Sequence, residues 1–115
     1  MLKHVHDESR IDVCCLEPEV LPLREHLAAS REMLSALADP ARQDLVQVLA
    51  RDELNVTDIT SRISISRPTV SHHLGILRRA GLVRARKVGK EVFYRLDKDR
   101  ISRTLEGLLE SLNCC

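Results

Sequence analysis

Four cysteines stand as two adjacent pairs, Cys14-Cys15 and Cys114-Cys115, one near each end of a 115-residue chain. Thiolates are soft donors and select soft or thiophilic ions. An adjacent pair supplies two sulfurs with almost no loop to close. An ion that takes three must find its third elsewhere, and four thiolates together suit Zn, Cd or Pb. The pairs are too few and too oddly placed for the disulfide framework of a small secreted protein. The opening MLKHVHDESR has no apolar signal-peptide region, so a cytoplasmic location with reduced thiols is expected. Two further readings stay open: thiol redox chemistry, and packing of cysteine as a small hydrophobe.

A second set of residues carries charge. Between residues 61 and 100 the chain holds 11 Lys/Arg against 3 Asp/Glu, although the whole carries a net charge of only +1. A basic middle between acidic flanks predicts one surface that faces a polyanion. Aromatic content is 2%, too little for the stacking platforms that bind single strands or RNA. Double-stranded DNA is the polyanion this favours, and solvated helix faces are the plain alternative. No apolar stretch approaches the ~20 residues needed to span a bilayer, so no membrane is expected. Gly-rich phosphate loops, Gly-x-Ser-x-Gly and His-Glu-x-x-His are all absent, and no enzyme is expected.

The elements that must position these residues can be read from the pattern. Residues 1–19 lack periodicity and predict an arm that carries the first cysteine pair. Residues 20–112 predict one domain, and 113–115 a cysteine tail. Val20, Leu23, Leu27, Leu34 and Leu37 define the stripe of a first helix, which Asp39-Pro40 ends. Ala41, Leu45, Val48 and Leu49 are the inward positions of a second. Asn55-Val56 reads as an extended link, and Thr57 as the N-cap of a short helix over 58–63. Ser66 caps the next helix, with Pro68 in its first turn, Val70, Leu74 and Leu77 inward, and Gly81 just past its end. His73 turns toward the core. Two strands follow, about 82–88 and 91–96, turning at Gly89-Lys90. Asp97 caps a last helix striped by Ile101, Leu105, Leu108, Leu109 and Leu112. That stripe is wide enough to expect a partner.

The order α-α-α-α-β-β-α is mainly α with a small β-hairpin: a winged helix-turn-helix, expected as a dimer. A major groove about 12 Å wide admits one helix, whose N-terminal side chains reach base edges. Those are Arg67, Thr69, Ser71 and His72. Arg78, Arg79, Arg84, Arg86, Lys87 and Lys90 are expected on phosphates, where they give affinity and salt dependence rather than sequence choice.

At these residues the chain resembles a known family. SRPTVSHHLGILRRAGLV followed by GKEVFYRLD, with ALADPARQDLVQVLA before them, is similar to the ArsR/SmtB metal-sensing repressors over about residues 30–100. The resemblance implies a homodimer, paired through its first and last helices, that sits on an inverted repeat and leaves when metal binds. It also implies what is missing. The arsenic sensors' Cys-x-Cys, in a pattern like ELCVCDL, falls on ELNVTDI, where Asn55 and Thr57 replace the thiols. The zinc sensors' last-helix Asp, His, His and Glu have no counterpart, because 98–112 contains no His. Gly75 replaces a common Lys.

Some arsenic sensors of the family instead carry an N-terminal Cys-Cys with a distant third thiol. By that resemblance As(III) or Sb(III) is the expected inducer. Cys14 and Cys15 would be ligands, joined by Cys114 or Cys115 of the same or the partner chain. Binding would shift two recognition helices that must lie about 34 Å apart. Cd, Pb or Zn, thiol redox control and a ligand-independent DNA-binding protein are the alternatives.

Overall fold

The computed structural model describes residues 22–113. The arm expected over 1–19, and Cys14, Cys15, Cys114 and Cys115, lie outside the described residues. Five helices and three strands follow in order: α1 (Pro22–Ala36), α2 (Pro40–Leu49), β1 (Leu54–Asn55), α3 (Val56–Arg62), α4 (Arg67–Arg79), β2 (Val83–Val88), β3 (Glu91–Leu96) and α5 (Lys98–Asn113). The winged helix-turn-helix expected from sequence is the fold observed, with one strand more. β1 pairs antiparallel with β3, Leu54 opposite Tyr94, and the sheet runs β1-β3-β2.

Two compact units are distinguishable. One is Glu32–Ile101; the other comprises the first part of α1 and the part of α5 from Ser102 onward. In the larger unit, Leu45, Leu49, Ile59, Val70, Leu74, Leu77 and Leu82 build an aliphatic core, with Leu54, Val83 and Leu96 closing it from the sheet. Each such side chain contributes about 1.5–3 kcal/mol on leaving water. The inward positions of α2 and α4 match the periodicity of the sequence.

α1 departs from it. Its buried residues are Ser30, Met33 and Ala36. Leu27 is 46% exposed and Leu34 also faces outward. In the larger unit Met33, Ala36 and Leu37 face the core, and of these only Leu37 belongs to the leucine stripe. Ser30 is buried because its hydroxyl is satisfied. In the smaller unit the Ser30 hydroxyl donates to the His26 carbonyl at 2.7 Å. The imidazole of His26 lies against Gly107 of α5 and its Nδ1 is 2.6 Å from the Ser111 hydroxyl.

The caps explain the breaks. Asp39 takes the N–H of Ala41 at 2.8 Å, starting α2 with Pro40 in its first turn. α3 is capped two residues earlier than Thr57. Asn55 Oδ1 accepts the N–H of Asp58 at 2.8 Å, while its Nδ2 donates to Glu91 at the start of β3. Asp97 Oδ1 accepts the N–H of Arg100 at 3.1 Å, as expected at the head of α5.

α4 ends in a Schellman turn. Leu82 N–H reaches Leu77 O at 2.9 Å and Gly81 N–H reaches Arg78 O at 3.0 Å. Gly81 has φ of +82°. A Cβ here would also meet Arg100 Nε at 2.5 Å, though that exposed side chain can move. Gly81→Ala is expected to lose about 1–2 kcal/mol for the left-handed backbone, read as a lower Tm. An unchanged Tm would show that the turn relaxes. Gly89, with φ of +63°, takes the first place of the tight turn that joins β2 to β3.

Candidate nucleic-acid interface

α3, the turn 63–66 and α4 form the helix-turn-helix. Ile59 of α3 is fully buried, as are Val70 and Leu77 of α4, so the pair is fixed by an apolar seam. The opposite side of α4 is polar. Arg67, Thr69, Ser71 and His72 are exposed along its N-terminal half, and Arg78 and Arg79 at its last turn. The side chains expected on base edges are therefore all open to solvent, over a wide arc of the helix.

Two of them are already oriented. Arg67 Nη1 donates to Thr57 Oγ1 at 2.9 Å, bridging α4 to the start of α3. By the resemblance drawn from the sequence, Thr57 stands where a thiolate would be expected. Here its hydroxyl holds a base-reading candidate instead. Ser66 occupies the N-cap position of α4 but makes no side-chain cap bond. Its hydroxyl donates to Thr69 Oγ1 at 2.8 Å.

In the wing, Arg84, Arg86, Lys87 and Lys90 are all exposed. They do not share one face. Strand alternation puts Arg84 and Arg86 on one side, while Lys87 continues the side begun by Val83 and Ala85. Lys90 sits at the turn. Arg84 lies directly opposite Arg95 in the ladder, and Arg86 opposite Phe93. Arg86 is also committed to a carboxylate. Its Nη2 lies 2.5 Å from Glu53 Oε1 and its Nε 3.1 Å from Oε2.

That hydrogen-bonded guanidinium lowers the Glu53 carboxyl below the ordinary carboxylate range and raises Arg86. A depressed folded-state value means that this tie contributes stability above the unfolded carboxylate's range. The contribution is lost as pH falls through the folded value. Glu53→Gln is expected to free Arg86 for phosphate. The log–log salt dependence of duplex binding should steepen by up to about 0.9 for each additional phosphate the protein neutralises. An unchanged slope would place Arg86 off the DNA.

Behind the wing, a polar cleft of ≈ 390 Å³ lies between the end of α2, the base of the hairpin and the head of α5. Arg51, Arg84 and Arg95 alternate there with Asp52, Glu53 and Asp97. With Lys98 and Asp99 also in the lining, four cations and four carboxylates offset one another. Among the described residues, no group of three or more His, Cys, Asp or Glu is placed to hold a metal ion. The four cysteines named as soft-ion ligands all fall outside those residues. No described helix is long and apolar enough to cross a membrane.

An outward basic helix beside a basic hairpin, both mounted on an aliphatic core, defines a DNA-binding winged helix-turn-helix protein. Residues 39–85 match the family described as "Bacterial regulatory protein, arsR family". The SmtB homologue of Synechocystis sp., a transcriptional repressor, is 42% identical over 84% of this chain and 73% of its own length. The biofilm growth-associated repressor of Agrobacterium fabrum is also 42% identical, over 66% of this chain and 65% of its own length. An ArsR-like transcriptional regulator from Rhodococcus sp. RHA1 superposes with a TM-score of 0.68 at 29% identity, covering 72% of this chain and 78% of that one. The chain belongs to the ArsR/SmtB family: it is a DNA-binding transcriptional regulator and not an enzyme.

Proposed function

We propose that the chain is a homodimeric transcriptional repressor that binds an inverted-repeat operator and is released when As(III) or Sb(III) binds its cysteine thiolates. The observation that carries the DNA half is the outward set Arg67, Thr69, Ser71 and His72 beside an exposed basic wing. Dimerisation is supported by the apolar faces of the first and last helices. Leu27 on α1 is 46% exposed, and on α5 Leu109 and Leu112 are 58% and 51% exposed. Large aliphatic side chains left in water on the two helices through which the family pairs argue for a second copy over them.

The ligand half is supported by donor chemistry. Asn55 and Thr57 are hydrogen-bonded in structural roles, the first as cap of α3 and the second to Arg67. Neither is a thiolate. The soft donors of this chain are Cys14, Cys15, Cys114 and Cys115. Bound trivalent arsenic or antimony would supply a three-sulfur cross-link. Cys14 and Cys15 would hold it together with Cys114 or Cys115.

Gel shift on a duplex selected by the protein from random-sequence DNA tests both halves. The selected sites are expected to be inverted repeats, and arsenite or antimonite is expected to release them. Release by Cd, Pb or Zn but not arsenite would reassign the ion. Release by oxidant alone would reassign the signal to thiol redox state. No release by any of these would leave a DNA-binding protein without this ligand.

A further inference from the structure

We infer that Arg42 and His73 are positioning residues for DNA reading: one guanidinium fastens α4 to the last turn of α1 and sets the angle at which Arg67 to His72 meet the groove. The inference rests on α4 reading DNA, as proposed above, and not on what the thiols bind.

Two carbonyls at the end of α1 lack their helical donors. In a continuing helix the carbonyl of Ala36 would receive the N–H of residue 40, but that residue is proline and has none. The carbonyl of Leu37 would receive the N–H of Ala41, which Asp39 Oδ1 has taken at 2.8 Å. Side chains of α2 replace both bonds. Arg42 Nε donates to Ala36 O at 2.7 Å, and Gln43 Nε2 donates to Leu37 O at 2.8 Å.

Arg42 does more than cap. Its side chain is 15% exposed, with Nη1 4.0 Å from Asp39 Oδ2. The same Nη1 reaches across to α4 and lies 3.4 Å from His73 Nδ1. One planar group thus touches the end of α1, the cap of α2 and the middle of α4.

Position makes this contact count. The inner face of α4 is held by Val70, Leu74 and Leu77, whose apolar contacts resist separation but are non-directional. A fork whose other branch is fixed on a backbone carbonyl opposes rotation of α4 about its axis. His73 directly follows His72, on the side of the helix turned to α2 rather than outward. A small rotation here would carry Arg67, Thr69, Ser71 and His72 off their base edges together. Phosphate contacts, which carry no sequence information, would suffer less.

The chemistry also fixes a proton. A guanidinium only donates, so a hydrogen bond at this contact requires His73 Nδ1 to accept, with the ring proton on Nε2.

Two measurements test the joint. Nitrogen-15 NMR of the histidine rings in the intact protein is expected to show His73 as the Nε2–H tautomer. An Nδ1–H ring would overturn the assignment. Duplex binding is then measured for Arg42→Ala, His73→Leu, the double variant and His73→Asn, each corrected for folded fraction. The probes are a duplex selected by the wild-type protein and an unrelated duplex. Each of the first two substitutions is expected to weaken selected-duplex binding about tenfold, and the double variant about as much rather than about a hundredfold. Unrelated-duplex binding should stay within about twofold, because phosphate contacts dominate it. His73→Asn, whose Oδ1 can accept where Nδ1 did, should recover most of the loss. Additive losses, equal losses on both duplexes, or no recovery with Asn would overturn the proposal. If the wild-type chain selects no duplex, the DNA-reading proposal fails, and the tautomer alone decides whether the joint exists.

Discussion

Replacing Leu74 by alanine is expected to cost the domain about 2–5 kcal/mol and to make its DNA binding fail at a lower temperature and a lower urea concentration than the wild type's. Leu74 is 1% exposed and sits in the core cluster with Ile59 of α3, Leu45 of α2 and Leu82 beyond the end of α4. Truncation removes the transfer free energy of the lost carbons and leaves a cavity that neighbouring helices close only in part. A domain of this size typically has about 5–15 kcal/mol in total, so the loss is a large fraction of it. The polar surface of α4 is untouched by the substitution. Binding should therefore fall with the folded fraction as temperature or urea is raised, and recover on cooling. Urea melts followed by circular dichroism give the stability, and anisotropy of a labelled duplex gives the binding. If stability drops and binding does not follow it, α4 is not the element that meets DNA. If Leu74→Ala is tolerated within about 0.5 kcal/mol, the seam between α3 and α4 is looser than its burial implies.

Leu74 is legible in the sequence because everything that places it is local. Pro68 near the helix start, Gly81 past its end, and Val70, Leu74 and Leu77 between them at helical spacing fix the span and inner face of α4 without reference to the rest of the chain. The hairpin is legible for the same reason, with glycine at a turn between alternating strands. What the sequence does not disclose depends on partners far along the chain. β1 is only Leu54–Asn55, and its existence follows from Tyr94 and Phe93 standing opposite. Asn55 and Thr57 are both acceptable caps. Asn55 takes the cap, while the Thr57 hydroxyl is engaged by Arg67.

α1 shows a different limit. Leucines at helical spacing mark a stripe, but a single chain gives no sign of whether that stripe faces its own core or another molecule. The His26 ring against Ser111 spans a separation of 85 residues, and the Glu53–Arg86 tie one of 33. Neither leaves a periodic trace. The site is therefore legible as a set of outward cations on a helix and a wing, and hidden in how those cations are held. By its place in the pattern Arg86 is a free phosphate ligand; in the fold it sits on a carboxylate. By the same pattern His73 is a core histidine; in the fold it meets a guanidinium.

Replacing Cys14 and Cys15 together by serine is expected to leave duplex binding within about twofold and to abolish release by arsenite. An effector typically couples to its output by about 1–3 kcal/mol, so arsenite should weaken wild-type operator binding by about five- to 150-fold. In the double variant that ratio should collapse to about one, since serine hydroxyls are hard, weakly acidic donors that do not replace thiolate at a soft ion. Basal binding should persist because Arg67, Thr69, Ser71, His72 and the wing are far along the chain from the substituted pair. The partner substitution Cys114→Ser with Cys115→Ser separates two readings. If one of those thiols is the third ligand, arsenite titration of this variant should show weaker binding, with release requiring more arsenite. If release is unchanged, the third sulfur comes from the first pair of the other protomer, and the stoichiometry of bound arsenic per dimer should read one rather than two. Release that survives loss of Cys14 and Cys15 would end the thiolate proposal for that pair. The fold and the DNA-reading surface would stand without it, because among the described residues both are built by side chains such as Leu74, Arg67 and Thr57.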